Sequence, residues 1–79
     1  MLSHPLALGT KILSVKGEQD QDDDNTVRRT GPNAIGRVIA ADHIPHQGWS
    51  YGIEFSPSGV FVFIDQRDSI DDSSKYRRV

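Results

Sequence analysis

The chain has 79 residues, eleven acidic and nine basic side chains, a net charge of −2 and a pI near 5.8, which fits one small domain. Hydrophobic residues make up 35%, with one Trp, two Tyr and three Phe, so a fully disordered chain is excluded. Cysteine is absent, which excludes disulfides, thiolate metal sites and a cysteine nucleophile. With no signal-peptide pattern and no apolar run of ~20 residues, the sequence predicts a cytoplasmic protein.

The first part of the chain is predicted to form an arm, a strand and a long loop. Residues 1–8 are an N-terminal arm, and residues 9–79 form a single small domain. Within it, Gly9–Gly17 is the first strand, an apolar and β-branched run between two glycines. Glu18–Asn33 is predicted to be a flexible acidic loop. Its first twelve positions hold only one apolar residue, Val27, to fix it to a core.

Three further strands are predicted in the middle of the chain. Ala34–Asp42 is the second strand, in which Gly36 marks a bulge or a sharp coil, and a short helix is the alternative. Trp49–Phe55 alternates apolar and small or polar residues, which is typical of a half-buried strand. Ser56–Gly59 is a tight turn, and Val60–Asp65 is the returning strand, with apolar residues on both faces and therefore covered on both sides.

The last segment is predicted to hold one helical turn and a short strand. The turn is "DDSSKY", residues 71–76, with Asp71 or Asp72 as its N-cap. The final strand is "YRRV", residues 76–79.

This order of elements resembles the SH3-like small β-barrel, including its KOW- and Tudor-type relatives. The pieces that carry the resemblance are "GTKILSVKG", "IGRVIAAD" and "YGIEFSPSGVFVFIDQRDSI". It implies an all-β, five-stranded antiparallel barrel with the long acidic loop after the first strand, at a position that is often a contact surface. Peptide-binding SH3 domains carry aromatic residues near this loop. Residues 10–33 hold none, so proline-rich peptide binding is not predicted.

The acidic segment "EQDQDDDN" is the strongest functional signal in the sequence. Outside it the chain has nine basic and six acidic side chains, so the segment is a distinct negative surface. Such a surface can dock on a basic surface of a protein partner, including one that normally binds nucleic acid. The predicted partner-binding residues are Glu18, Asp20, Asp22, Asp23, Asp24, Arg28, Arg29 and Trp49. A solvated loop without a partner is the alternative.

In size and charge the chain resembles small phage inhibitors, among them some anti-CRISPR proteins. This resemblance implies an inhibitor that occupies a basic groove of its target. A structural accessory subunit of a larger complex is a further alternative.

The spacing of three aspartates suggests calcium binding, but the residues at two other positions of the loop oppose it. Asp20, Asp22 and Asp24 have the one-three-five spacing of an EF-hand loop. The sixth position is Asn25 where glycine is needed, and the twelfth is Gly31 where a bidentate glutamate is needed. We therefore predict no metal site here.

Zinc binding and catalysis are also not predicted. Asp42, His43 and His46 could supply zinc ligands, but Pro45 prevents a helix that would align the two imidazoles. No G-x-S-x-G motif is present, and so small a barrel has little room for a catalytic cleft. The sequence thus predicts a non-enzymatic protein without cofactors.

Nucleic-acid binding is the main alternative function. Arg28, Arg29 and Arg37 could contact phosphates, with Trp49 or Tyr51 as a stacking surface for bases. The acidic pI and the clustered carboxylates oppose this alternative, because they repel phosphates.

Overall fold

The computed structural model describes residues 6–79, except for the side chain of Asp68, and confirms an all-β protein. Of the predicted N-terminal arm, residues 1–5 lie outside the described part. A single π-helical turn at Gln66–Ile70 accompanies the strands. The strands are β1 (Lys11–Ser14), β2 (Gln19–Gln21), β3 (Val27–Arg29), β4 (Ala34–Ile44), β5 (Gly48–Phe55), β6 (Val60–Asp65) and β7 (Tyr76–Arg78).

Five of the strands form one antiparallel sheet in the order β6-β5-β4-β1-β7. The long strand β4 pairs with β1 at its beginning and with β5 along most of its length. Its register shifts between Val38 and Ala40, which marks a β-bulge. Of the two alternatives predicted for Gly36, a bulge or a sharp coil of the strand, the bulge is wrong, because Gly36 pairs regularly with both Ile12 and Phe55. In the described residues no pairing between β6 and β7 closes this sheet into a barrel.

The core lies on one face of the sheet. The apolar face of β5 is buried as predicted, since Tyr51, Ile53 and Phe55 have no exposed surface. Ser50 and Gly52 on the other face are also buried, so β5 is not half-buried. The expectation that β6 is covered on both sides is wrong, because the side chain of Phe63 is 64% exposed. The buried apolar residues are Ile12, Val38, Tyr51, Ile53, Phe55, Val60, Ile64 and Ile70.

The predicted β5–β6 hairpin is confirmed, and the predicted helical turn is displaced. Gly59 closes the hairpin turn with a φ of 80°, and its N–H donates to the Phe55 carbonyl oxygen at 2.9 Å. The helical turn comes before the predicted segment, at Gln66–Ile70. The Asp72 carboxylate accepts the Ser74 N–H at 2.9 Å, but in a non-helical turn, so the predicted N-cap role is wrong.

Residues 18–33 contain a second, two-stranded sheet formed by β2 and β3. The loop expected there from the composition is therefore in part a β-hairpin. The π-helical turn is five residues long, and within residues 6–79 nothing helical could reach across a bilayer.

Candidate functional site

The acidic segment folds as a hairpin whose strands pair Asp20 directly opposite Arg28. Its tip is a turn in which the Asn25 N–H donates to the Asp22 carbonyl at 2.9 Å. Asn25 has a φ of 69°, in the left-handed region that asparagine tolerates better than most residues. A turn ending on such a residue, followed by β-branched Thr26 and Val27, is a recognisable hairpin signal that the sequence analysis missed.

Asp20 joins this hairpin to the main sheet. Its carboxylate accepts the backbone N–H of Phe61, on β6, at 2.9 Å, and the Arg28 Nε at 3.2 Å. The Asp20 side chain is only 14% exposed. The Phe61 N–H, and after it Arg28, hold the pKa of Asp20 below its ordinary value. Asp20 is therefore an anchor of the hairpin and offers little surface to a partner.

Arg28 binds two carboxylates of the hairpin at once. Besides Asp20, its Nη2 lies 2.5 Å from Asp22 Oδ1. The hydrogen bond to Asp20 is the main reason that the pKa of Arg28 is raised. Since its charge is satisfied inside the hairpin, Arg28 is a poor candidate for contacts with phosphates or with a partner.

Glu18 holds the base of the hairpin against the end of the chain. Its carboxylate accepts the Tyr76 hydroxyl at 2.6 Å and the Ser14 hydroxyl at 3.3 Å. Its backbone N–H donates to Thr30 Oγ1, and the Thr30 N–H donates to the Glu18 carbonyl, both at 2.8 Å. Like Asp20, Glu18 is engaged within the fold.

Burial raises the pKa of Tyr76, and the hydrogen bond to Glu18 acts in the same direction. An unfolded tyrosine ionises near pH ~10. The free energy of unfolding from this group is therefore constant below about pH 10 and falls as the pH rises above it, because only the unfolded chain releases the proton. Urea unfolding between about pH 8 and 11, followed by Trp49 fluorescence, measures this slope. The Tyr76→Phe variant should show a shallower slope, and equal slopes in both proteins would contradict the assignment.

Two predicted carboxylates remain at the tip. Asp23 and Asp24 are exposed, and Asp24 accepts the Thr26 N–H at 3.1 Å. Hydrogen bonding by Thr26 lowers the pKa of Asp24, so this carboxylate stays ionised. For Asp23 the described residues provide neither a hydrogen bond nor an ion pair. The negative charge available to a partner is therefore concentrated at the tip.

The other two predicted contact residues lie apart from the tip. Arg29 is exposed on β3, with no ion pair among the described residues. Trp49 is half-buried at the start of β5, packs against the core and meets the ring of His43 edge-on at 5.2 Å. Tyr51 is fully buried, so the expectation that its ring could stack on a base is wrong.

An aromatic pair on the outer face of β6, in which Phe63 is exposed and Phe61 partly buried, was not foreseen. The rings of Phe61 and Phe63 meet edge-to-face at 5.1 Å, with an interplanar angle of 85°. The sequence does contain a signal for this pair, since Phe61 and Phe63 alternate with Val60, Val62 and Ile64. That alternation distinguishes two faces of the strand, and only one of them can lie against a single core.

Within the described part of the chain, no three His, Cys, Asp or Glu side chains converge as metal ligands. The carboxylate of Asp20, one of the three residues with EF-hand spacing, is instead engaged by Arg28 and Phe61. Comparison with protein-family models, with curated proteins and with solved structures gave no match for this chain.

Proposed function

We propose that the protein is a non-enzymatic protein-binding module that docks the tip of its acidic hairpin on a basic surface of a partner. We further propose an SH3-like layout. In support, a hairpin separates the first two strands of the main sheet, and a meander and a helical turn lead back to an edge strand beside the first. The reducing cytoplasm, expected because cysteine is absent, is part of this proposal.

The observation that carries the proposal is the attachment of the hairpin to the main sheet. Asp20 attaches the hairpin to β6 through the Phe61 N–H, and Arg28 joins the two strands beside it. Asp23 and Asp24 are consequently presented from an anchored element. A pre-positioned charge loses less conformational entropy on binding than one on a mobile loop, and it accelerates association with a basic surface.

The complement of this tip is a cluster of lysine or arginine side chains. Basic surfaces of this kind commonly serve to bind phosphates of nucleic acids. A protein that covers such a surface with carboxylates would compete with the nucleic acid. An inhibitor of a nucleic-acid-binding protein, similar in size and charge to anti-CRISPR proteins, is therefore the form of the proposal that we favour.

A second candidate function, nucleic-acid binding, is favoured by one observation. Lys11 and Arg37 lie directly opposite each other on β1 and β4, both exposed and without an ion pair among the described residues. Arg77 belongs to the same face, because it pairs with Leu13 two residues after Lys11. Glu54 lies opposite Arg37 on its other side and compensates part of this positive charge. A phosphate would compensate the part that remains, at Lys11 and Arg77.

Reversing the charge of Asp23 tests the proposal. In the Asp23→Lys variant we expect association with an oligolysine peptide, which stands in for a basic protein surface, to slow by about tenfold. The rate should also depend less on ionic strength. Asp23 has no contact to lose in the described structure, so the change acts through charge. Stopped-flow mixing across a salt series measures both effects.

Asp71→Lys is the control, because it makes the same charge change at an exposed site far along the chain. It also removes the ion pair with Arg78 at 4.0 Å, but that pair is exposed and contributes little. If both variants slow association equally, net charge and not the hairpin tip is responsible, and the proposal is wrong. The second candidate makes a different prediction, namely that the wild-type protein retains single-stranded RNA at low salt. If the wild-type protein retains no RNA at low salt, the nucleic-acid-binding candidate is wrong.

A further inference from the structure

We propose that the outer face of β5 and β6, centred on Phe63, is the anchor of the interface. Its occupant would be an apolar side chain of the partner that is surrounded by lysine or arginine. This inference rests on the proposed function, since the acidic hairpin supplies the charge contact beside it. It adds a hydrophobic centre, which the acidic tip alone does not provide.

The exposure of Phe63 follows from its cross-strand neighbours. Phe63 lies opposite Gly52, and Gly52 lies opposite Ala40, so this row of the sheet has no other large side chain. A Cβ on Gly52 would lie 2.8 Å from Cζ of Phe61 and 3.3 Å from the Ala40 Cβ. The Phe61 ring thus covers the glycine, and Phe63 stands edge-on against it with 64% of its surface exposed.

An exposed aliphatic residue is ordinary on a protein surface, but this pair has the properties of a binding anchor. Its two rings fix each other in an edge-to-face geometry, so a partner would meet a surface that is already ordered. Aromatic residues dominate the energetic centres of protein interfaces because they bury a large area with few rotatable bonds.

The charges around Phe63 define the partner. One neighbouring row of the same face runs from Asp42 through Ser50 to Asp65. The row on the other side places Glu54 beside Phe61. Arg37 lies opposite Glu54 on the side away from Phe61, so Asp42 and Asp65 are the carboxylates with no basic neighbour in their row. An apolar side chain that approaches Phe63 is therefore best flanked by positive charge.

The hairpin extends the same negative surface. Asp20 of the hairpin accepts the N–H of Phe61, so the hairpin lies beside the strand that carries the aromatic pair. A second copy of this chain is a poor occupant, because it would bring like carboxylates together. A nucleic acid is disfavoured for the same reason, since these carboxylates repel phosphates. A basic protein surface with an apolar centre complements both the carboxylates and the aromatic pair.

Two peptide probes of equal charge test the inference. One is oligolysine, and the other contains the same number of lysines with leucines interspersed. We expect wild-type protein to bind the lysine–leucine peptide more tightly, and Phe63→Ala to lose about tenfold in affinity for that peptide only. Affinity for oligolysine should not change. Calorimetric titration gives both constants, and a proton–nitrogen spectrum verifies that the variant is folded.

Val79→Ala is the matched control, because Val79 is 63% exposed and follows β7, the opposite edge strand of the sheet. If Phe63→Ala binds both peptides like wild type while Asp23→Lys weakens both, the aromatic face is not the anchor and the proposed function stands. If wild type binds neither peptide, both proposals are wrong. Sedimentation could instead show that the wild-type protein is a dimer and that Phe63→Ala is a monomer. The occupant of this face would then be a second copy of the chain, and the basic partner would be wrong.

Discussion

Replacing Gly36 by alanine is expected to lower the free energy of unfolding by about 1–3 kcal/mol, the usual cost of overpacking a core. The added Cβ would lie 2.6 Å from Cγ2 of Ile53 and 2.8 Å from Cε2 of Phe55. Both side chains are fully buried, so neither can move without disturbing its other neighbours. Because small domains have only about 5 kcal/mol of stability, this loss is a large fraction of the total.

Gly31→Ala provides the comparison for this prediction. A Cβ at Gly31 would have no heavy atom within 4 Å, and Gly31 is not among the glycines with positive φ. We expect its free energy of unfolding to stay within about 0.5 kcal/mol of wild type. Urea unfolding followed by Trp49 fluorescence measures both variants. If both variants lose the same free energy of unfolding, contact with the buried Ile53 and Phe55 is not the cause of the loss at Gly36.

The strands of the main sheet could be predicted because their signals are local. The alternation of Trp49–Phe55 and the turn at 56–59 lie within a few residues of each other, and a hairpin follows directly from them. Burial of one face then follows from the apolar side chains. The same reasoning does not say which face of β6 is covered. That depends on what packs against it, so Phe63 could not be recognised as exposed from periodicity alone.

The anchored hairpin could not be predicted for a different reason. The bond from the Phe61 N–H to Asp20 joins residues that are 41 positions apart. Composition makes the segment from Glu18 onward look like a solvated loop, because carboxylates rarely enter a packed structure. Here each of three carboxylates finds a specific donor, in Tyr76, Phe61 or Arg28. The acidic surface that is left for a partner is smaller than the sequence indicates.

Asp20→Ala is expected to detach the hairpin from the sheet while the core stays folded. An isolated two-stranded hairpin is marginal in water, so loss of the anchor should also weaken the pairing of β2 with β3. The Phe61 amide, deprived of its acceptor at the sheet edge, should exchange with deuterium about tenfold faster or more. Amide exchange of Phe61, compared with that of the core strand β5, measures the effect.

Asp23→Ala separates anchoring from charge, since it removes one aspartate charge from the same hairpin without breaking a described contact. It should leave the exchange of Phe61 unchanged. Acidification should reproduce the effect of Asp20→Ala in the wild-type protein. The lowered pKa of Asp20 means that its contribution is complete above pH ~3.9, the value of an unfolded aspartate, and is lost as the pH falls through the folded value. If Phe61 exchanges equally fast in both variants, or if acid has no effect on it, Asp20 does not hold the hairpin, and the attachment on which the proposed function depends is absent.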